Sequence, residues 1–478
     1  MLPVMRYPLM LAALCAAITA PAAAQDDPAA DVSQERLRAD VERRGGFYTR
    51  HTLSSQTDPE RGIGAALEWG MDEFAEASTN CGGCLETRFI ETEVSGRRIP
   101  EPVRLRNALA IQWGSERPNE VVIIQGHIDS RGSDVLDAEV EAPGANDNAS
   151  GSALVLEAAR QLSQRSYPTT IIYALLSGEE QGLYGGNLLA DYVTEQGWTV
   201  KAVLNNDVVG GSCGSDGVCD AERVRVFSEG VRADASDEYR AAMRSRGGAN
   251  DSPSRNLSRW LDNLAADYPD GLDVRQTWRS DRMGRGGDHL PFLDRGYPAI
   301  RMSVAIEDYE HQHQDLRVED GTTYGDTVDE MDFPYLARVT QFNVRAADRL
   351  ARAPMPPRVQ VDGIVRPDIE ITIIPSEGAT LYRVYKRRTD DAYWESDVEY
   401  AFAPVDVPAG TGQVTRSTGS PETTVNFMPE GIVMVRPRLR GDDWIIGVSA
   451  VSADGSESPV SSGVPGGEFY PLPVDNEE

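Results

Sequence analysis

Between about residues 36 and 350 the chain alternates between two hydrophobic patterns. Val121-Val122-Ile123-Ile124, Thr170 to Leu176 and Val200 to Leu204 are short apolar runs. Such runs suit strands buried on both faces. Between the first two, residues about 150–163 set Val155, Ala158, Ala159 and Leu162 on one helical face. A second helix is predicted over about 184–194. Ser252-Pro253 reads as an N-cap followed by proline at the first helical position. Leu257, Trp260, Leu261, Leu264, Ala265 and Tyr268 then recur at helical spacing before Pro269, as a core-packing stripe does. Strand, helix, strand, helix, strand predicts an α/β unit with a largely parallel sheet and helices packed on it.

The pattern changes at Ala353-Pro354-Met355-Pro356-Pro357, which reads as a linker over residues 353–358. Ile369 to Ile374, Leu381 to Tyr385 and Trp444 to Val451 are β-rich runs separated by Gly, Pro, Asp and Ser. No helical period interrupts them, so residues 359–466 are predicted to form an all-β sandwich. Residues 444–459 resemble the last strands of a fibronectin type III domain. Residues 467–478 form an acidic tail. At the other end, Arg6, the apolar run Leu9 to Ile18 and Ala22-Ala23-Ala24 before Gln25 have the order of a signal peptide, residues 1–24. Residues 25–35 are polar and are expected to form a loose leader. No later run is long enough to span a bilayer.

Composition narrows the function classes. Forty-six Lys and Arg against 76 Asp and Glu leave a net charge of −30. A chain this acidic is a poor binder of nucleic acid or anionic membranes. Apart from Cys15, the cysteines fall in two local pairs, Cys81–Cys84 and Cys213–Cys219. In an exported protein, periplasmic or secreted, these read as two short-range disulfides. A four-thiolate zinc site and a redox Cys-x-x-Cys are the competing readings. The pattern sets no oligomeric state.

Chemistry gathers where the predicted strands end. Gly126-His127-Ile128-Asp129 follows the first, Ser177-Gly178-Glu179-Glu180 the second and Asn205-Asn206-Asp207 the third. Open α/β sheets bind ligands at these carboxyl ends. The loop Gly144-Ala145-Asn146-Asp147-Asn148-Ala149-Ser150-Gly151 brings Asp147 to the same edge. Only five histidines exist, His51, His127, His289, His311 and His313, and all but His51 lie in segments that can reach the site. Mixed imidazole and carboxylate donors suit zinc, and manganese or cobalt also fit them. Several carboxylates around two histidines can neutralise two divalent ions that share a bridging carboxylate. Adjacent Glu179 and Glu180 point in different directions, so one can bind metal while the other acts as a general base.

Together these motifs, with Gln-Gly-Leu-Tyr-Gly-Gly after Glu180 and Asp288-His289-Leu-Pro-Phe, resemble metallopeptidase family twenty-eight. Its members include di-zinc aminopeptidases and exopeptidases of the glutamate carboxypeptidase II type. The resemblance covers residues 36–352 as the catalytic domain. It implies a mixed, largely parallel central sheet with helices on both faces. It implies two zinc ions bridged by Asp147. His127 and Asp207 would complete one site, and Glu180 and a late histidine the other. Glu179 would activate the metal-bridging water, and Asp129 would orient His127. The peptide Asp147-Asn148 is where such enzymes carry backbone strain. Asp288 and His289 are expected to stand behind the ligands or in a substrate loop. His313 is favoured over His311 as the late ligand, with residues 316–325 as an insertion before Asp326-Thr327 and a helix from about Phe333. His51 is expected to be structural or exposed.

The resemblance implies an exported aminopeptidase acting on peptides with a free N-terminus. A carboxypeptidase or dipeptidase activity would instead need basic side chains at the substrate carboxylate, for which Arg282, Arg285 and Arg301 are candidates. Glutaminyl cyclase, with one zinc, and a catalytically dead binding protein are the remaining alternatives.

Overall fold

The computed structural model describes residues 27–395, 400–405, 407, 414–417, 423–428 and 433–473. The expected signal peptide, residues 1–24, the first two residues of the expected leader, and the end of the expected acidic tail, 474–478, lie outside the described residues.

An eight-stranded sheet organises the N-terminal unit. Its strands are β1 (Glu86–Gly96), β2 (Ile99–Gln112), β3 (Arg117–His127), β4 (Thr169–Leu176), β5 (Thr199–Asn206), β6 (Arg223–Phe227), β7 (Asp273–Thr277) and β8 (Ala299–Val304). They lie in the order β1-β2-β4-β3-β5-β8-β6-β7. The central four, β4, β3, β5 and β8, run parallel. β2 joins β4 antiparallel and β6 joins β8 antiparallel, so the sheet is mixed at both sides. The helices are α1 (Gln34–Gly45), α2 (Gly62–Asn80), α3 (Ser150–Leu162), the single turn α4 (Glu179–Gly182), α5 (Tyr184–Glu195), α6 (Asp237–Arg246), α7 (Pro253–Ala266), α8 (Leu290–Asp294) and α9 (Phe333–Arg352).

β3 shows why its apolar run is continuous. Val122 and Ile124 pack in one core with Leu154 and Ala158 of α3 and Leu336 of α9. Val121 and Ile123 pack in a second core with Leu189 and Val193 of α5. Side chains alternate across a strand, so a strand covered on both faces must be apolar at every position.

Residues 27–35, expected to be loose, are docked instead. Ala29 is fully buried, Asp27 pairs with Arg345 at 2.6 Å, and Ser33 caps α1 through the Arg36 N–H. The polar composition that suggested a leader serves ion pairs and a helix cap. Residues 317–324, inside the expected insertion, form a hairpin of β9 (Arg317–Glu319) and β10 (Thr322–Tyr324).

The C-terminal unit is two packed antiparallel sheets. β11 (Arg358–Asp362), β12 (Glu370–Ile374), β15 (Val414–Ser417), β16 (Thr424–Phe427) and β17 (Val433–Arg436) form one; β13 (Leu381–Arg388), β14 (Tyr400–Phe402), β18 (Trp444–Val451) and β19 (Ser461–Ser462) form the other. Ile371, Ile373 and Val435 meet Tyr382, Val384 and Val448 between them. This unit leans on α7: Asn256 donates to Ser462 Oγ at 2.8 Å and Trp260 Nε1 to the Glu457 carbonyl at 3.0 Å. The α7 stripe therefore serves two partners, with Leu257 and Leu261 in the core of the N-terminal unit and Trp260 reaching the sandwich.

Among the described residues, no helix is long and apolar enough to cross a membrane. The four described cysteines form the two local disulfides, Cys81–Cys84 and Cys213–Cys219.

Candidate metal centre

Three strand ends and two loops converge on one point. β3 ends at His127, β4 runs into the turn bearing Glu179 and Glu180, and β5 is followed by Asp207. Asp147 sits in the irregular segment before α3, across a cis peptide from Asn148, at the position singled out in the sequence. His313 arrives from the segment after β8 with a left-handed backbone, φ 57°.

Asp147 stands between two donor sets. Its Oδ1 lies 3.2 Å from His127 Nε2, which is also 3.6 Å from Asp207 Oδ1. Its Oδ2 lies 2.9 Å from His313 Nε2, which is equally close to Glu180 Oε1. The groupings His127/Asp147/Asp207 and Asp147/Glu180/His313 each gather within metal-ligating reach. His127 Nε2 is buried and makes no hydrogen bond, although two carboxylate oxygens face it. A buried polar atom without a partner is costly. A cation at the point these donors face would satisfy His127, and a set of imidazole plus carboxylates suits zinc. The residues present therefore fit two divalent ions sharing Asp147.

Neighbouring groups hold the ligands. His127 Nδ1 lies 3.1 Å from the Asp129 carbonyl and 3.5 Å from its carboxylate. That carboxylate also accepts the Glu180 N–H at 3.1 Å and the Glu179 N–H at 3.3 Å. Asp129 thus fixes the glutamate turn as well as the histidine, which a sequence motif does not reveal. Asp326 accepts the N–H groups of Asn146 and Asp147 at 2.7 and 2.6 Å. Arg301 reaches Asp207 at 3.0 Å and Asp281 at 3.2 Å.

The electrostatics follow from crowding. Burial pushes the Glu179 carboxyl well above the usual carboxylate range, with Asp207, Glu180 and Asp288 adding to the effect. Burial also lifts Asp288, to about 8, among Asp129 and Asp207. For Asp147 burial acts upward, but His313 and His127 outweigh it and hold the carboxyl well below its ordinary value.

The other sequence candidates lie outside the ligand sets. His311 Nδ1 faces Asp308 at 2.6 Å, so His313 is the late histidine that reaches the centre. Asp288 is buried and accepts the Gly186 N–H, while His289 faces the Ser280 carbonyl at 2.6 Å. His51 is buried, between the Val135 carbonyl and the Gln181 amide.

A cavity of about 490 Å³ opens on the centre. Arg97 and Arg98, at the tip of the β1–β2 hairpin, line it together with Arg131, Arg282 and Arg285. Sequence reasoning missed Arg97, Arg98 and Arg131, because only the hairpin and the loop after Asp129 carry them there. Arg301, considered as a binder of substrate carboxylate, is corrected: it is fully buried and spent on Asp207 and Asp281.

Comparison with known proteins agrees with this geometry. Residues 107–332 match the model of peptidase family M28. A probable zinc metalloprotease of Leptosphaeria maculans is 40% identical over 76% of this chain and 86% of its own length. One from Pyrenophora teres f. teres is 37% identical over 93% of this chain and 86% of its own. Among solved structures, LapB from Legionella pneumophila shares the fold, with TM-score 0.51 and 18% identity over 68% of this chain and 74% of that one. With His127, Glu180 and Asp207 gathered at its strand ends and these relatives matched over most of its length, the chain belongs to peptidase family M28.

Proposed function

We propose that this M28 peptidase is an exported di-zinc aminopeptidase that removes the N-terminal residue of peptides. The observation that carries this reading is Asp147, whose two oxygens face two separate donor sets. His127, Asp147 and Asp207 would hold one zinc, and Asp147, Glu180 and His313 the other. Bound there, the two ions would polarise the substrate carbonyl and acidify the attacking water.

The chain's own groups supply the rest. Glu179 sits in the cavity wall beside His127 and Glu180, within reach of a water held at the centre. It takes a proton from water as the water oxygen bonds to the peptide carbonyl carbon, and gives it to the leaving nitrogen as the C–N bond breaks. Asp129 holds the Glu179–Glu180 turn and the His127 ring, which keeps base and ligands in one frame.

Export rests on the order of Arg6, the apolar run and the alanines before Gln25, and the two disulfides suit an oxidising compartment. The C-terminal sandwich is read as fibronectin type III-like. A second reading, carboxypeptidase action, draws on the arginines of the cavity.

The deciding experiment compares a free peptide with its N-acetylated twin, using zinc-loaded mature protein. Cleavage of the free peptide alone, with release of its first residue, supports the aminopeptidase. Loss of the last residue from both transfers the site to the carboxypeptidase reading.

A further inference from the structure

The metal centre leaves a group of arginines unexplained. Five of them line the cavity beside four carboxylates, those of Asp147, Glu179, Glu180 and Asp207. The proposed chemistry occupies all four acids. In a chain of net charge −30, this concentration of cations is local.

Three of the five are already engaged. Arg98 donates to the Glu180 carbonyl at 2.8 Å. Arg131 bonds Glu180 at 3.0 Å and His313 Nδ1 at 2.7 Å. Arg282 is held by Asp281, Glu307 and the Gly286 carbonyl. Arg285 differs: among the described residues only its Nη1 is engaged, by Glu307 at 3.2 Å and Gln312 at 3.0 Å, and its side chain is 31% exposed. Arg97 differs further. It lies exposed at the hairpin tip, lines the cavity, and has no hydrogen-bond or ion-pair partner among the described residues.

The tip that carries Arg97 is tied down at its neighbours. Arg98 is bonded to Glu180 as above, and the Tyr184 hydroxyl donates to the Ser95 carbonyl at 3.3 Å. Glu307 in turn anchors Arg285; burial alone would raise its carboxyl, but Arg282 and Arg225 hold it below its ordinary value as a charged partner. Two guanidiniums are thus presented to one cavity from supported backbone, with donors left over. A guanidinium recognises a carboxylate through paired, charge-assisted N–H···O bonds.

We propose that Arg97 and Arg285 form a carboxylate-reading subsite, so that the enzyme selects peptides carrying a carboxylate close to the bond it cuts. The inference rests on the peptidase reading above. Two sources offer this group: an acidic side chain in the first residues, or the free C-terminal carboxylate of a di- or tripeptide.

Four tripeptides separate the sources: Leu-Ala-Ala amide, Leu-Ala-Ala free acid, Glu-Ala-Ala amide and Leu-Glu-Ala amide. At least one carboxylate-bearing peptide is expected to show a kcat/KM tenfold or more above the neutral amide, and which one does identifies the source. In Arg97→Gln and Arg285→Gln the ratio falls toward one, and Arg97→Glu reverses it. Arg97 is exposed and has no partner among the described residues, so its replacement tests recognition without threatening the fold. Equal rates on all four would overturn the subsite and leave the aminopeptidase standing. If none is cut, calorimetric binding of N-acetyl-Ala-Glu against its diamide decides the subsite independently of turnover. Tighter binding of the acid, lost in Arg97→Gln, supports it; equal binding overturns it.

Discussion

Arg387 of the sandwich places Nη2 2.6 Å from each carboxylate oxygen of Asp251 in the catalytic unit. Both side chains are sealed from solvent, at 2% and 0% exposure. A buried pair adds little over a well-packed apolar replacement, but removing Arg387 leaves the Asp251 carboxylate with only Arg259, at 3.7 Å, as a cationic partner among the described residues. Arg387→Met is therefore expected to destabilise the protein by about 3–5 kcal/mol. Asp251→Asn combined with Arg387→Gln should recover much of that loss. Urea unfolding followed by near-UV circular dichroism checks both; an unchanged midpoint in the single variant would show that the two units do not depend on this contact.

Zinc stoichiometry tests the sharing of Asp147. The mature protein is expected to hold two ions after dialysis against zinc. His313→Ala should keep one, because His127, Asp147 and Asp207 remain intact. Asp147→Ala should lose both at the same free zinc. Elemental analysis after gel filtration gives the count, and two ions retained by Asp147→Ala would refute the shared ligand.

Glu179→Gln separates proton transfer from metal binding. A general base contributes about 10²–10⁴-fold in rate. The variant is expected to lose activity on that scale while holding as much zinc as the parent. A loss of zinc in step with activity would make Glu179 a ligand instead.

Lys201 makes stability depend on pH. It is buried against Glu120 and the carbonyls of Leu350 and Ala353, and burial pushes its ammonium down to about 8 from the ordinary 10.5. Glu120 pulls the other way, and nearby Arg117 adds to the lowering. Below both values the folded and unfolded chains are equally protonated, and the folded state bears the full cost of the buried charge. Between about 8 and 10.5 the unfolded chain binds more protons, so stability rises with pH, by about 3 kcal/mol in all. The stability difference between wild type and Lys201→Met, followed by urea unfolding from pH 7 to 10.5, should shift by this amount in favour of wild type. A flat difference would contradict it.

The sequence reading was strongest where one strand carries both packing and chemistry. The apolar run before His127 lies within β3, and the motifs after β4 and β5 fall at the edge where Glu179, Glu180 and Asp207 gather. The helix read over 150–163 is α3, Ser150–Leu162, because its apolar spacing reflects one buried face. Arg97 and Arg98 were illegible for a different reason. Arg98 reaches Glu180, and Arg97 the cavity, only because a long, largely polar hairpin folds back, and no local pattern encodes that reach. The docking of residues 27–35 was illegible because burial of one small residue, Ala29, leaves no periodic trace.

The two cores on either side of β3 have a consequence for the chemistry at its end. Val121 and Ile123 belong to one core, Val122 and Ile124 to the other. A strand so divided has parity. One residue gained or lost within it would exchange both sets at once and turn His127 toward the opposite layer. The direction in which His127 faces is therefore indexed by packing several residues behind it, and this segment can exchange its apolar side chains far more freely than it can change its length.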